Sequence, residues 1–479
     1  MGRSSSPGFF NVLLTLVSSA SAADHASCAV KEASLFQKAA VRRHIRVNLS
    51  AIEDRNQFVS VYDAGGPQRL IGSSEDPFFG SMRAMEEFDK NVTDECSKKY
   101  GKQMLESLRR TTHAFCIGPS SNVTCHERVP FDVPRYMCEL RHVEISSTGT
   151  RAEGCQVPIE LQNMTLGASE SLILKKLESQ AAPLNCTSSI SEDALIQMPW
   201  DTHNFYEWYG DWITLWETLA ALEWQPKDVQ LFLVEPLGNS EVAGDEQPFR
   251  RPFNEAWPLA FEKERVHMGN FQTLFGSGIC FSRAVVVPHG GLSTTTFHGG
   301  RGGRSQCASP TIMASVLYLE ALVNPLPTVT PPDKQVTLLL RKGTRSFQDD
   351  AIAEESARSA LLPGWSLKTF RPEEYTCLRE QLALVAQTSV LIGTHGAGLT
   401  HLMFLPPRAR VVEIFCGDRS SDNRHYANLG TMSDGAAPEA PGNFHLEASF
   451  SSCRVDSSVV RRAIEEYEEG ARLATESVE

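Results

Sequence analysis

The stretch "VLIGTHGAGLTHLMFLPP", residues 390–407, decides how the rest of the chain is read. Its apolar run, 390–394, has the character of a strand buried on both faces, and a helix-forming stretch, 397–404, comes directly after it. The joint between them is Gly393-Thr394-His395-Gly396-Ala397-Gly398, and glycine there lets another group approach the backbone closely. In an open α/β sheet, ligands bind outside the carboxyl ends of the strands. The free N–H groups of a helix start favour an anion, and small residues at 396–398 would admit a phosphate. For the glycines alone, a tight turn without a ligand is the competing reading. The spacing is not that of a GxGxxG dinucleotide fingerprint, and no GxxxxGK[ST] phosphate loop occurs in the chain.

The same alternation continues outward. Residues 336–341, 366–370 and 411–415 read as further strands, with helical stretches around 349–361 and 373–388 between them. The first strand ends in "LLLRKGTRSF", which brings Arg341, Lys342 and Arg345 to the strand edge that also carries the glycine turn. Glu413 lies near the end of the strand 411–415, where a carboxylate could hold a pair of ribose hydroxyls or simply face a helix. Phosphate turn, basic strand end and carboxylate together outline a nucleoside-diphosphate site.

Upstream, the Pro-rich "NPLPTVTPPDK" (324–334) cannot be helical and marks a boundary. Before it, strands at 194–199, 229–236 and 284–288 and the helix "NFYEWYGDWITLWETLAALEW" (204–224) form a second alternating unit. The expected architecture is two Rossmann-like domains, 191–328 and 329–450, facing across a cleft. A glycosylated, Cys-rich region (23–190) precedes them, stapled by disulfides, and a terminal helix (451–479) closes the chain. Within "HNFYEWYGDW", His203, Glu207 and Asp211 recur every four residues and share a face if the helix already includes His203. Phe205, Tyr206, Trp208, Tyr209 and Trp212 surround them, as suits a sugar site with a general base or a core helix with a polar stripe.

Composition narrows the class. A formal net charge of −13 argues against a nucleic-acid partner, so an anionic small molecule needs the local cations named above. Residues 1–22 have the short apolar core and Ala20-Ser21-Ala22 ending of a cleaved signal peptide, and no other segment reaches the length of a membrane span. The 12 cysteines include no CxxC pair and suit disulfides. Sequons at Asn48, Asn91, Asn122, Asn163 and Asn185 fit the same compartment, and "ATESVE" carries no KDEL-type signal. The expected location is the secretory pathway, in the endoplasmic reticulum lumen or Golgi, or outside the cell. An "HGGL" at 289 without any GxSxG gives no support to a hydrolase.

With these residues in view, "SVLIGTHGAGLTHLMFLPP…VVEIF" resembles the signature of the family 61 glycosyltransferases. "CELRHVEI" (138–145), "HNFYEWYGDW", "GICFSRAVVVPHGG" (278–291), "VTLLLRKGTRSF" and "EEYTCLREQLALVAQTSVLIG" keep the family's order. Within the family the chain looks most like the EGF-domain-specific O-linked N-acetylglucosamine transferases, then the plant-type β-1,2-xylosyltransferases of N-glycans. The resemblance implies a GT-B fold and inverting transfer from a UDP-sugar to a hydroxyl of a glycoprotein or glycan. It implies Asp211 as base and Arg341, with Lys342 or Arg345, on the diphosphate. His395, the N–H groups of Gly396, Ala397, Gly398 and Leu399, and Glu413 complete the donor pocket. The chain has no DxD, so a metal is not expected to be needed and the UDP-sugar is the only co-substrate. Glu207 stands where relatives carry His; it could serve as base, raise the pKa of Asp211, or mark a non-catalytic binding protein. Cys280 and Cys307 are expected to pair, closing a Gly-rich loop that holds Arg301 and Arg304.

Overall fold

The computed structural model describes residues 76–127, 136–154, 173–174, 177–180, 183–184, 186–199, 204–235, 252–288, 290, 307–323, 334–342, 345–406, 408–416, 423–433, 445–450 and 453–476. The signal segment, the sequons at Asn48, Asn163 and Asn185, His203, Cys28, Cys155, the Pro-rich linker through 333, and Arg301 with Arg304 lie outside them. The described residues belong to one compact unit, Val61–Glu479.

They build two sheets. The smaller consists of β10 (Gln335–Leu339), β11 (Ser366–Phe370), β12 (Val390–Thr394), β13 (Arg410–Cys416) and β14 (His445–Phe450). It is wholly parallel, in the spatial order β11-β10-β12-β13-β14. In chain order this is 2-1-3-4-5, a doubly wound sheet whose connections reverse between β10 and β12. Both faces of β10, β12 and β13 are covered, which is why these strands are buried without alternation, whereas the edge strand β11 alternates. Val336, Leu338, Ile392, Val412 and Ile414 pack on one side with Ala353, Ala357, Val460, Ala463 and Ile464, whereas Leu339, Leu391 and Val411 enter the other core. The terminal helix, Ser457–Glu476, is therefore a covering layer of this sheet.

The larger sheet has a parallel part made of β6 (Ser188–Gln197), β7 (Gln230–Glu235), β8 (Val266–Asn270) and β9 (Ile279–Val286), with its own reversal between β6 and β9. An antiparallel meander, β1 (Thr112–Ile117), β2 (Asn122–Glu127) and β3 (Tyr136–Ser146), continues the sheet from β9, and β4 (Gly149–Glu153) and β5 (Leu177–Gln180) extend from β3. The spatial order is β1-β2-β3-β9-β6-β7-β8. Residues 112–127 and 136–153, placed from sequence in the Cys-rich region ahead of the two domains, thus join the sheet that also holds β6–β9. Strand pairing over long sequence separation left no local signature there.

Helices α1 (Pro77–Asp89), α2 (Asp94–Tyr100) and α3 (Lys102–Arg110) come before the sheets in the chain. Asp76 and Thr93 cap α1 and α2 through Phe78 N and Cys96 N. Helix α4 (Phe205–Leu222) starts at Asn204, whose Oδ1 accepts from Tyr206 N at 3.0 Å. It is buried on nearly all sides, with Trp208, Trp212 and Trp216 at most 1% exposed. Trp208 stacks on Trp212 at 5.7 Å, and both pack on Trp257. These aromatics are core, not the walls of a sugar site.

The disulfide expected between Cys280 and Cys307 is absent. Cys280 pairs with Cys186, and Cys307 with Cys96. The reason is register: parallel pairing sets Ser188 beside Ile279, so the chain entering β6 meets the start of β9, while Cys307 faces α2. Cys125 and Cys138 bond directly across β2 and β3, and Cys416 bonds Cys453. Among the described residues no cysteine is free, as fits a protein of the secretory pathway, and no helix is long and apolar enough to cross a membrane.

Candidate active site

The glycine turn sits at the reversal point of the parallel sheet. Leu339, at the end of β10, is registered with Gly393 of β12, so the segment after β10 emerges beside the turn after β12. Arg341 and Arg345 come from that segment. A Cβ on Gly396 would lie 2.1 Å from Arg341 Nη1 and 3.5 Å from Arg345 Cδ, so this glycine makes room for the guanidinium. Gly393 and Gly398 serve another purpose. Their Cβ atoms would strike Leu399 Cδ2 at 2.9 Å and Leu339 Cδ2 at 2.8 Å, so they let the turn pack on the sheet. Thr394 Oγ1 donates to the Arg345 carbonyl at 2.6 Å and ties the two segments together.

The turn leads into a 3-10 helix, Ala397–Phe404, rather than an α-helix. Leu399 N donates to the Gly396 carbonyl at 2.8 Å, which removes it from the set of N–H groups that could meet a ligand. The N–H groups of Gly396, Ala397 and Gly398 precede the first bond of the helix. His401 braces this helix from inside, with Nδ1 2.8 Å from the Gly398 carbonyl and Nε2 2.9 Å from Gln381 Oε1. Burial pushes its pKa down to about 4, and its ring lies against Phe205 and Phe370, so it is a core histidine.

Arg341 Nη1 is buried and has no hydrogen-bond partner. Among the described residues no carboxylate forms an ion pair with Arg341. Burial is the main influence lowering its pKa; Arg345 adds to it, and Tyr426 and Glu373 oppose it. A half-buried guanidinium in this state is a site for an anion. Lys342 and Arg345 are exposed beside it.

His395 and Glu413 meet under the turn, His395 Nδ1 on Glu413 Oε1. Glu413 is fully buried and faces the imidazole. The ring of His395 stacks on Phe415 at 4.9 Å and takes the edge of Tyr426 at 5.2 Å. Tyr426 and His425 belong to the helix His425–Ser433, which sequence reading passed over. A helix after the fourth strand of a doubly wound sheet begins at the ligand edge, and that topological rule was the available signal. Burial, then the charge of His395, pushes the pKa of His425 down to about 4, against the pull of Glu413. Burial raises that of Tyr426, with Glu413 adding to it.

Helix α4 reaches this group from the larger sheet. Tyr206 touches His425 at 5.5 Å and Tyr426 at 5.7 Å, and Phe205 lies over His401 and Phe404. Glu207, in the first turn, is half-buried beside Tyr206. Asp211, one turn on, is fully buried, and its Oδ1 accepts from Gly290 N at 2.9 Å. Gln197 Nε2, at the end of β6, donates to the Asp211 carbonyl at 2.8 Å. Gly290 lies just beyond β9, so Asp211 clamps the chain at the reversal point of the larger sheet. "PHGG" after a strand was the signal for that contact.

Comparison with known proteins bears on the same segment. Residues 303–412, which contain β10, β11 and β12 and the first three residues of β13, match the family Glycosyltransferase 61. The family resemblance holds. EGF domain-specific O-linked N-acetylglucosamine transferase of Drosophila melanogaster is 25% identical over 45% of this chain and 40% of that protein. The protein of the same name from Bos taurus is 55% identical over 11% of this chain and 10% of its own, and that from Rattus norvegicus 43% over the same shares. The chain thus matches less than half the length of these relatives.

Proposed function

We propose that the protein is an inverting glycosyltransferase of GT-B type. It moves N-acetylglucosamine from UDP-GlcNAc to a Ser or Thr hydroxyl of an extracellular domain, an EGF domain by analogy with the relatives' names. The observation that carries this is Arg341. Its buried nitrogen, without a hydrogen-bond partner, lies against Gly396 at the carboxyl edge of a doubly wound sheet, within the family 61 segment.

The charges dictate the chemistry. The acceptor oxygen attacks C1 of the donor sugar as the bond from C1 to the diphosphate breaks, and the hydroxyl proton passes to a carboxylate. Charge grows on the departing diphosphate, where Arg341, Arg345, Lys342 and the N–H groups of residues 396–398 oppose it. Of the three carboxylates on α4, Asp211 already holds Gly290 and is sealed from solvent, and Glu217 is buried and accepts from Thr311 Oγ1. Glu207 takes the proton, and Asp211 fixes the backbone around it. The mechanism calls on no metal.

The test uses the purified protein with UDP-GlcNAc and UDP-xylose in parallel, with and without EDTA. UDP release and calorimetric UDP binding are read for wild type and Arg341→Ala. Transfer from UDP-GlcNAc that survives EDTA and is lost with Arg341 is expected; transfer from UDP-xylose alone would instead assign a xylosyltransferase. UDP binding without turnover on any acceptor would point to a binding protein. Absence of UDP binding would overturn the proposal.

A further inference from the structure

We propose that Thr394 is a positioning residue for the diphosphate: its hydroxyl holds the backbone of Arg345 in a left-handed conformation that lays the Arg345 side chain along the glycine turn, beside Arg341. This inference rests on the nucleoside-diphosphate reading above. Arg345 has a φ of 64°. An L side chain avoids that region because its Cβ crowds the backbone, so a residue other than glycine stays there only where its surroundings hold it. Glu223, at φ 59°, ends helix α4, where a left-handed residue is common, whereas Arg345 stands in a turn at the edge of the candidate site.

The path of the chain shows what does the holding. Leu339 and Gly393 are the last registered pair of β10 and β12, and Leu340 N still donates to the Phe370 carbonyl of β11 at 2.8 Å, so the chain parts from β12 first. It returns at Arg345, whose carbonyl accepts from Thr394 Oγ1 at 2.6 Å. Thr394 is a fixed post for that bond. It is 1% exposed and registered with Ile414 of β13, and the next N–H, that of His395, donates to the Ile414 carbonyl at 2.9 Å. Beyond Arg345, Phe347 is buried in the core with Val336 and Ile392, which anchors the far side of the turn. With its backbone pinned on both sides, Arg345 brings Cδ to 3.5 Å from where a Cβ on Gly396 would lie, and Arg341 Nη1 comes to 2.1 Å from the same point. Among the described residues no carboxylate forms an ion pair with Arg345. Its charge helps to lower the pKa of Arg341, so the two cations oppose each other. Like charges held together in this way are offset by an anion that reaches both.

Calorimetry on the full chain compares UDP with uridine for wild type, Thr394→Val, Thr394→Ser, Arg345→Asn and the double variant Thr394→Val with Arg345→Asn, and thermal unfolding checks that each is folded. Valine keeps the shape without the hydroxyl, serine keeps the hydroxyl, and asparagine tolerates a left-handed backbone but has no guanidinium. Thr394→Val is expected to weaken UDP about tenfold and to leave uridine unchanged, while Thr394→Ser keeps the wild-type affinity. Arg345→Asn is expected to weaken UDP at least as much, and adding Thr394→Val to it should cost nothing further, because the hydroxyl then has no guanidinium to place. A threonine with only a structural role would instead lower stability and weaken both ligands, whichever residue stands at 345. Losses that multiply in the double variant would overturn the inference, as would unchanged UDP affinity in folded Thr394→Val. Unchanged UDP affinity in Arg345→Asn would overturn it whether or not the valine variant folds. Failure of the wild type to bind UDP would remove the nucleotide reading itself, and this inference with it.

Discussion

Replacement of Asp211 by Asn separates two roles that a carboxylate on α4 can play. The side chain is fully buried and its Oδ1 lies 2.9 Å from Gly290 N. Asn offers an amide oxygen of the same shape at the same place, so the clamp on Gly290 survives. Ala removes it and takes a buried acceptor from a backbone N–H, at a cost of about 1–3 kcal/mol. If Asp211 only clamps, Asn keeps kcat within about tenfold of wild type, a change of about 1.4 kcal/mol in the barrier. Glu207→Gln, which deletes the base, instead lowers kcat by a factor on the order of 10²–10⁴ with KM for the donor little changed. Initial rates of UDP release with UDP-GlcNAc and an EGF-domain acceptor, alongside thermal unfolding, read both quantities. The reasoning is refuted if Asp211→Asn loses the full catalytic factor at wild-type stability while Glu207→Gln stays active.

Other expectations rest on single contacts. Gly396→Ala strikes the end of the half-buried Arg341 side chain and also strains a backbone at φ +157°, so it should weaken UDP binding as the guanidinium is displaced and lower stability; calorimetry and thermal unfolding decide. Gly398→Ala strikes buried Leu339 instead and should cost about 1–3 kcal/mol of stability by denaturant titration, the overpacking penalty of a filled core. Glu255 accepts from Leu378 N and Arg379 N at the start of the helix Leu378–Val385, and burial pushes its pKa from 4.5 up to about 7. The folded state therefore holds this proton more tightly than the unfolded chain, so the stabilising contribution is present below pH 4.5 and is lost as pH rises through about 7. Glu255→Gln should gain thermal stability over wild type at pH 8, with the difference shrinking toward pH 4.5; an equal difference at both pH values would contradict this.

The sequence by itself settled the elements whose signals are local. Residues 390–394 form β12 as read, because an uninterrupted apolar run fits only a strand covered on both faces. The run at 411–415 was legible for the same reason, 366–370 as a short alternating strand, and the terminal helix and the long helix around 205–222 by their length and helical period. The meeting of Arg341 and Arg345 with the glycine turn was legible too, since parallel strands share one carboxyl edge. Tertiary structure alone decided the rest. Burial turned Trp208 and Trp212 into core, a distinction that an aromatic-rich helix does not carry in its own pattern. Sheet register chose Cys186 for Cys280, and pairing with β9 drew the meander 112–146 into the larger sheet. The same distant packing committed Asp211 to Gly290 and Glu413 to His395, because the partner that fixes a buried carboxylate lies 79 and 18 residues away in the chain. Local sequence encodes the period of an element, and only the folded chain assigns which side chain completes the electrostatics of another.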